Sequence, residues 1–312
     1  MADLVEDFDP DKLESPIRGL LKNFAVSAFK IAPEREKDLD QVVREARLRV
    51  WIDATTDLFD ITISRLLCRI SVPLSALERL WAYAYCYSLF FDLTQPDAQG
   101  RVIDLRAAEE TDRARRLMVW ANNAEVTGKS EKWPNNTPRP DQDYPDERLK
   151  PANQICLMMG GFILLHEVAH LVLGHCEHQP ASTDESIANE FAADRWAAEW
   201  VLARWREYKD NEAVFVQRTV GIAFALAALG GIELYAPKHG TRTHPNAAAR
   251  LIDFLDRWVP QGSEPNLPKR QAAWKVAPSV LHVHLLKLGK VTDPLASYRT
   301  FRDYLCAAEQ LF

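Results

Sequence analysis

The chain has 312 residues, of which 47% are hydrophobic and 26% charged, a globular composition that excludes a disordered chain. Its formal net charge of −6, without any Lys/Arg cluster, argues against nucleic acid and against a membrane as partners. The acidic N-terminus lacks the apolar core of a signal peptide, and the five cysteines form no C-x-x-C pair, so we expect a cytoplasmic protein with reduced thiols.

Strand signals are confined to three short β-branched segments near the N-terminus. They span 47–54, 59–66 and 68–74 and predict a small antiparallel sheet. The aromatic-rich segment 75–93 is apolar nearly all round and predicts a buried helix. A charged helix is expected to follow over about 105–125.

A proline-rich segment, 127–151, interrupts this pattern. Its five prolines exclude a helix or a central strand, so we expect a linker or a surface loop that could cover a cleft. We therefore divide the chain into 1–126 with the sheet and helices, the loop 127–151, and a helical region 152–312 that could be continuous with the first. The predicted fold class is α+β, mainly α.

The helical region contains six expected helices. The longest apolar run in the chain, 219–232, is shorter than the roughly 20 residues that a bilayer requires, so it predicts a buried core helix. The expected helices span 152–177, 184–209, 212–236, 245–258, 271–289 and 295–310.

The segment GGFILLHEVAHLVLGH, at 160–175, carries the strongest chemical signal. His166 and His170 are four residues apart, so on a helix they share one face and can bind one metal ion. Glu167 is displaced by about 100° from His166, where its carboxylate can act as a base on water. A salt-bridged surface pair of histidines is the alternative, but the dense Leu, Ile and Val flanks favour a buried helix.

A catalytic zinc site needs a third protein ligand, and the next predicted helix offers one. Glu190 and Asp194 are four residues apart on one face, among alanines that permit close helix packing. We predict Glu190 as the metal ligand and Asp194 as the group that orients a ligand imidazole. Glu185 and Glu199 are the alternative ligands.

Two further histidines are weaker candidates. His175 would lie about 180° from His166 on a continued helix, so we expect it to point away from the metal. His178 lies beyond the expected helix end. Leu173 and Cys176 stand where the metzincin pattern requires Gly and His, which excludes that class.

The segment RTHPNAAARL, at 242–251, places His244 immediately before a predicted helix. A histidine at this position could stabilise the oxyanion of a tetrahedral intermediate and so act as a catalytic residue beside Glu167. A turn histidine that only caps the helix is an equal alternative.

Three elements in chain order resemble the gluzincins, the zinc peptidases whose third ligand is a glutamate: H-E-V-A-H at 166–170, E-F-A-A-D at 190–194, and T-H-P-x4-R at 243–250. The chain resembles more closely the Lit family of bacterial phage-exclusion peptidases. Segments 27–39 and 127–140 share this resemblance, which covers most of residues 27–255.

The resemblance implies a zincin-like helical core with one catalytic zinc held by His166, His170 and Glu190, and with Glu167 as the base. It also implies a protein substrate, because Lit peptidases cleave elongation factor Tu when a phage head-protein peptide is bound to it, which stops translation in the infected cell. A housekeeping or regulatory peptidase with another protein substrate is one alternative. A non-catalytic, zinc-stabilised interaction module is the other.

Overall fold

The computed structural model describes most of the chain. The described residues are 9–55, 61–94, 109–127, 132–140, 148–207, 211–235, 245–259, 273–274, 276, 280–281 and 301–310. The helix predicted at 271–289 therefore lies largely outside the described residues.

Short helices begin the described chain. α1 spans Leu21–Ala25, α2 spans Ser27–Lys30 and α3 spans Glu36–Ala46. α3 is amphipathic, with Leu39 and Val43 buried, and it ends at Arg47, whose positive φ of 51° turns the chain towards the sheet.

A three-stranded sheet follows, in the spatial order β1-β3-β2. β1 spans Arg49–Asp53, β2 spans Thr62–Ser64 and β3 spans Arg69–Pro73. β2 and β3 are antiparallel because a short turn joins them, whereas β1 pairs with β3 in parallel. The predicted strands are present, but the sheet is mixed rather than wholly antiparallel, because residue alternation carries no information on strand direction.

The rest of the described chain is helical, and α6 lies at its centre. α6 packs against α2, α4, α7 and α8, which accounts for its apolar sequence. The predicted fold class, α+β and mainly α, is confirmed. The helices are α4 (Leu74–Thr94), α5 (Glu109–Thr127), α6 (Leu149–Val172), α7 (Thr183–Leu202), α8 (Asn211–Tyr235), α9 (Ala247–Trp258) and α10 (Phe301–Glu309).

Two of these helices are long and apolar enough to cross a membrane by length and composition: α6 and the Asn211–Gly230 part of α8. In each, 67% of the most apolar window is buried inside the protein, as in the core helices of soluble proteins. Ile222 through Ala228 are fully buried, in agreement with the core helix predicted for this run.

Within the proline-rich segment, residues 132–140 pack on the helical core. The Trp133 ring lies 4.9 Å from that of Trp120 on α5 and 5.6 Å from that of Trp81 on α4. None of residues 132–140 lines the cleft described below, so this part of the segment does not cover it. The division into three regions stays a prediction.

Candidate active site

The H-E-V-A-H segment forms the C-terminal end of α6. Phe162 to Leu165 are buried in the core, which fixes the rotation of the helix and so directs the following side chains to one side. A Cβ added at Gly161 would lie 2.9 Å from the Ser27 carbonyl oxygen, so this glycine permits the close approach of α2 one turn before the motif. His166 and Glu167 are buried.

Side chains from α6 and α7 converge on one point. The two imidazole Nε2 atoms of His166 and His170 are 3.1 Å apart. Glu190 on α7 places one carboxylate oxygen 3.3 Å from His166 Nε2 and the other 3.4 Å from His170 Nε2. These three residues form a group of donors that could hold a metal ion.

The donor set fits zinc. Imidazole nitrogen and carboxylate oxygen are usual zinc ligands at about 2.0–2.2 Å, and tetrahedral coordination then separates neighbouring donors by about 3.3–3.5 Å. The donor separations of 3.1–3.4 Å agree with that spacing. A zinc ion held by these three residues would keep one coordination position open, as in catalytic rather than structural zinc sites.

The structure distinguishes between the three acids of α7 that were candidates for the third metal ligand. Glu190 is buried and faces the two histidines. Glu185 accepts a hydrogen bond from the backbone N–H of Ala181 near the start of the helix, and Glu199 is exposed to solvent. Only Glu190 among them reaches the metal-binding group.

Asp194 lies one turn further along α7 and contacts the opposite edge of His166. Its Oδ1 atom is 2.9 Å from His166 Nδ1. Arg250 on α9 donates to both oxygens of this carboxylate, at 2.6 and 2.7 Å, and both side chains are buried. Sequence reasoning identified Asp194 but assigned no role to Arg250; its position six residues after His244 was the available signal.

This ion-pair network shifts the pKa of His166 and of Asp194. Burial opposes the charged form of His166, but the Asp194 and Glu190 carboxylates beside it outweigh burial and raise its pKa to about 10. Burial likewise opposes the charged form of Asp194, but the Arg250 guanidinium and His166 outweigh it and hold its pKa well below the usual range.

Glu167 lies in an environment that disfavours its charge. Burial raises its pKa to about 7, although the His166 charge and a hydrogen bond donated by the backbone N–H of Ile63 on β2 act in the opposite direction. A carboxyl group with a pKa near neutrality is suited to accept a proton and return it.

A cleft of about 640 Å³ opens over the site. β2 and its turn form one wall, and the segment after α6, residues 175–180, forms the other. His166, Glu167, His170 and Glu190 lie along it. An ion pair of 2.7 Å between Arg65 and Glu177, both about half exposed, joins the two walls.

His175 does not point away from the metal-binding group, in contrast to the sequence prediction. Helix α6 ends at Val172, and Gly174 with φ +77° reverses the chain, so the helical rotation on which the prediction was based stops before His175. Its Nδ1 atom lies 3.0 Å from Nδ1 of His170. Burial lowers the pKa of both imidazoles, that of His170 to about 4, and His178 also lines the cleft.

The predicted T-H-P element is described only in part. His244 lies outside the described residues, so its catalytic role stays a prediction. Asn246 caps α9 by accepting a hydrogen bond from the N–H of Ala249 at 2.7 Å, and this cap fixes the helix start from which Arg250 reaches Asp194.

The chain is similar to known peptidases. The family described as Peptidase U49 matches residues 70–277, which include all three predicted metal ligands and Glu167. A relative from Escherichia coli (strain K12), described as a cell death peptidase, is 28% identical over 265 residues, which cover 81% of this chain and 84% of the relative. No solved structure matches the chain.

Proposed function

The chain belongs to the peptidase U49 family, and from this premise we propose that it is a zinc-dependent endopeptidase with its active site at the end of α6. The observation that carries the proposal is the convergence of His166, His170 and Glu190 beside a buried glutamate with a raised pKa. A non-catalytic zinc module is less well supported, since a structural site needs neither an open position nor an acid beside the ligands.

In this proposal His166, His170 and Glu190 hold the metal. Zinc in such a site would supply a Lewis acid that polarises the scissile carbonyl group and acidifies the attacking water. Glu167 accepts the proton of that water on its carboxylate and then delivers the proton to the leaving amine.

The remaining groups position these residues. Arg250 fixes the Asp194 carboxylate, and Asp194 in turn holds the His166 ring so that its Nε2 atom faces His170 and Glu190. β2 is an edge strand along the cleft, so an extended peptide between β2 and the segment 175–180 would pass directly over Glu167. The substrate class that fits this cleft is an extended, exposed segment of a protein.

For the substrate itself we propose elongation factor Tu in complex with a phage-derived peptide, which makes the protein a bacterial phage-exclusion peptidase. The resemblance to Lit peptidases supports this choice, as does the similarity to a relative described as a cell death peptidase. A housekeeping or regulatory peptidase with another protein substrate is the competing proposal.

The test is a cleavage assay with purified protein, zinc and elongation factor Tu, with and without a phage head-protein peptide. Glu167→Gln is the control, because it removes the base and retains the shape of the side chain. We expect a peptide-dependent fragment that is at least about a hundredfold slower to appear with Glu167→Gln.

The possible outcomes separate the parts of the proposal. Wild-type rates from Glu167→Gln would disprove the proposed chemistry. Intact factor under every condition, from protein that binds one zinc, would disprove the proposed substrate, and cleavage of unfolded casein without any peptide would then favour the housekeeping alternative.

A further inference from the structure

The last turn of α6 brings a third histidine against one of the proposed metal ligands. The backbone N–H of His175 donates to the carbonyl of His170 at 2.9 Å, and that of Gly174 donates to the carbonyl of Leu171 at 3.1 Å. With Gly174 in the left-handed region, these two bonds form a Schellman motif. In this motif the residue that follows the glycine lies against the residue four positions before the glycine. Here these two residues are His175 and His170.

An apolar pair usually makes that contact, but here two imidazoles do. Nδ1 of His175 lies 3.0 Å from Nδ1 of His170, within hydrogen-bond distance. The rings meet edge to face, with centroids 5.1 Å apart and an interplanar angle of 66°. A hydrogen bond between two neutral imidazoles requires one ring to donate and the other to accept.

The rest of the site decides which ring donates. Nε2 of His170 faces Nε2 of His166 and the Glu190 carboxylate, so this atom needs a free lone pair to bind a metal. The proton of a neutral His170 is then on Nδ1, directed at His175. His175 accepts it and carries its own proton on Nε2.

We propose that His175 is a positioning residue, which accepts the Nδ1–H of His170 and so fixes the ring and the tautomer of that metal ligand. The inference rests on the proposed zinc site. It gives the two histidine ligands analogous supports on their far edges: Asp194 with Arg250 for His166, and the neutral His175 for His170. Partners of this kind orient ligands and tune metal affinity.

Two near-isosteric substitutions separate this role from simple packing. In His175→Asn, the side-chain oxygen occupies nearly the place of Nδ1 and can accept the same hydrogen bond. His175→Leu has a similar shape without an acceptor. His175→Ala accompanies them, because it removes the acceptor with the smallest risk to the fold.

The measurement is the zinc dissociation constant of each full-length protein, determined by competition with a chelator after removal of metal. We expect His175→Leu and His175→Ala to bind zinc about 10–100-fold more weakly than the wild type, and His175→Asn to retain most of the affinity. The visible spectrum of bound cobalt should change in the first two proteins and be preserved in the third. Thermal unfolding of the zinc-free proteins reports separately on the fold.

Each outcome has a defined meaning. Wild-type zinc affinity in His175→Leu or His175→Ala would overturn the positioning role, as would an equal loss in His175→Asn and His175→Leu. A wild-type protein that binds no zinc would instead overturn the proposed function, on which this inference depends.

Discussion

Arg250 and Asp194, which are 56 residues apart in the chain, form a buried bidentate ion pair with hydrogen bonds of 2.6 and 2.7 Å. The same carboxylate contacts His166 Nδ1 at 2.9 Å. Arg250 therefore acts on the proposed metal site through one intermediate carboxylate, and α9 is connected to α6 across α7. A substitution that breaks the Arg250–Asp194 pair should therefore change the affinity for zinc.

Arg250→Lys retains the positive charge but cannot present two parallel donors to Asp194. With its carboxylate less firmly held, Asp194 should orient His166 less well, and we expect the zinc dissociation constant to rise about tenfold. Arg257→Lys is the matched control, because Arg257 lies on the same helix and pairs with Asp253 at the surface. Equal zinc affinities for Arg250→Lys and the wild type would contradict the positioning role of the ion pair.

Glu190 and Glu199 offer a direct test of the third ligand. Both are acids of α7, but only Glu190 is buried against the histidines. Glu190→Gln should reduce zinc occupancy at micromolar zinc to a small fraction, because a neutral amide is a poor ligand, whereas Glu199→Gln should bind one zinc per chain. Metal analysis after gel filtration measures both. Full occupancy in Glu190→Gln would assign the third ligand elsewhere.

Zinc binding should release a proton at neutral pH. In the metal-free protein the pKa of His166 is about 10, so its imidazole is protonated at pH 6–8, whereas the pKa of His170, about 4, leaves that ring neutral. Because zinc requires a neutral imidazole, its affinity should rise with pH by about tenfold per unit. The measurement is made with Glu167→Gln, because this substitution removes a carboxyl group whose pKa of about 7 would otherwise contribute to the proton release.

Calorimetry in buffers of different ionisation enthalpy measures this release. About one proton should leave for each zinc bound to Glu167→Gln at pH 7. A zinc affinity that is constant between pH 6 and 8, without proton release, would show that His166 is already neutral in the metal-free protein.

The sequence contained enough information to locate the candidate metal-binding group and Asp194, but not the other residues that support this group. His166, His170, Glu190 and Asp194 follow from four-residue spacings within single helices, which depend only on helix geometry. The Arg250–Asp194 pair depends on how α7 and α9 pack, which local spacing does not determine. His175 was assigned wrongly because the helical rotation was extended past Val172, although Gly174 indicated the helix end.

The direction of the strands and the packing of the proline-rich segment also could not be predicted from local sequence. Short β-branched segments predicted where strands occur, but the parallel pairing of β1 with β3 depends on the path of the connection between β1 and β2. Trp133 packs on two distant helices, a contact between residues far apart in sequence that proline content alone does not indicate.

A second buried ion pair should stabilise the fold without acting on the metal. Arg218 on α8 donates to both oxygens of Glu34, at 2.5 and 2.8 Å, and to the Val201 carbonyl at 2.8 Å. Both charged side chains are almost fully buried, at 5% and 6% exposure. Arg218→Met leaves the Glu34 carboxylate buried without this partner, so we expect it to lower the free energy of unfolding by about 3–5 kcal/mol.

Addition of Glu34→Gln to Arg218→Met should recover part of that loss, because the uncompensated charge is then removed. Arg204→Met is the surface control: Arg204 pairs with Glu207 and Asp38 where all three are exposed, so it should cost at most about 1 kcal/mol. Urea unfolding of the four proteins measures these differences. If Arg218→Met and Arg204→Met cost the same, the buried pair contributes no more to stability than a surface pair.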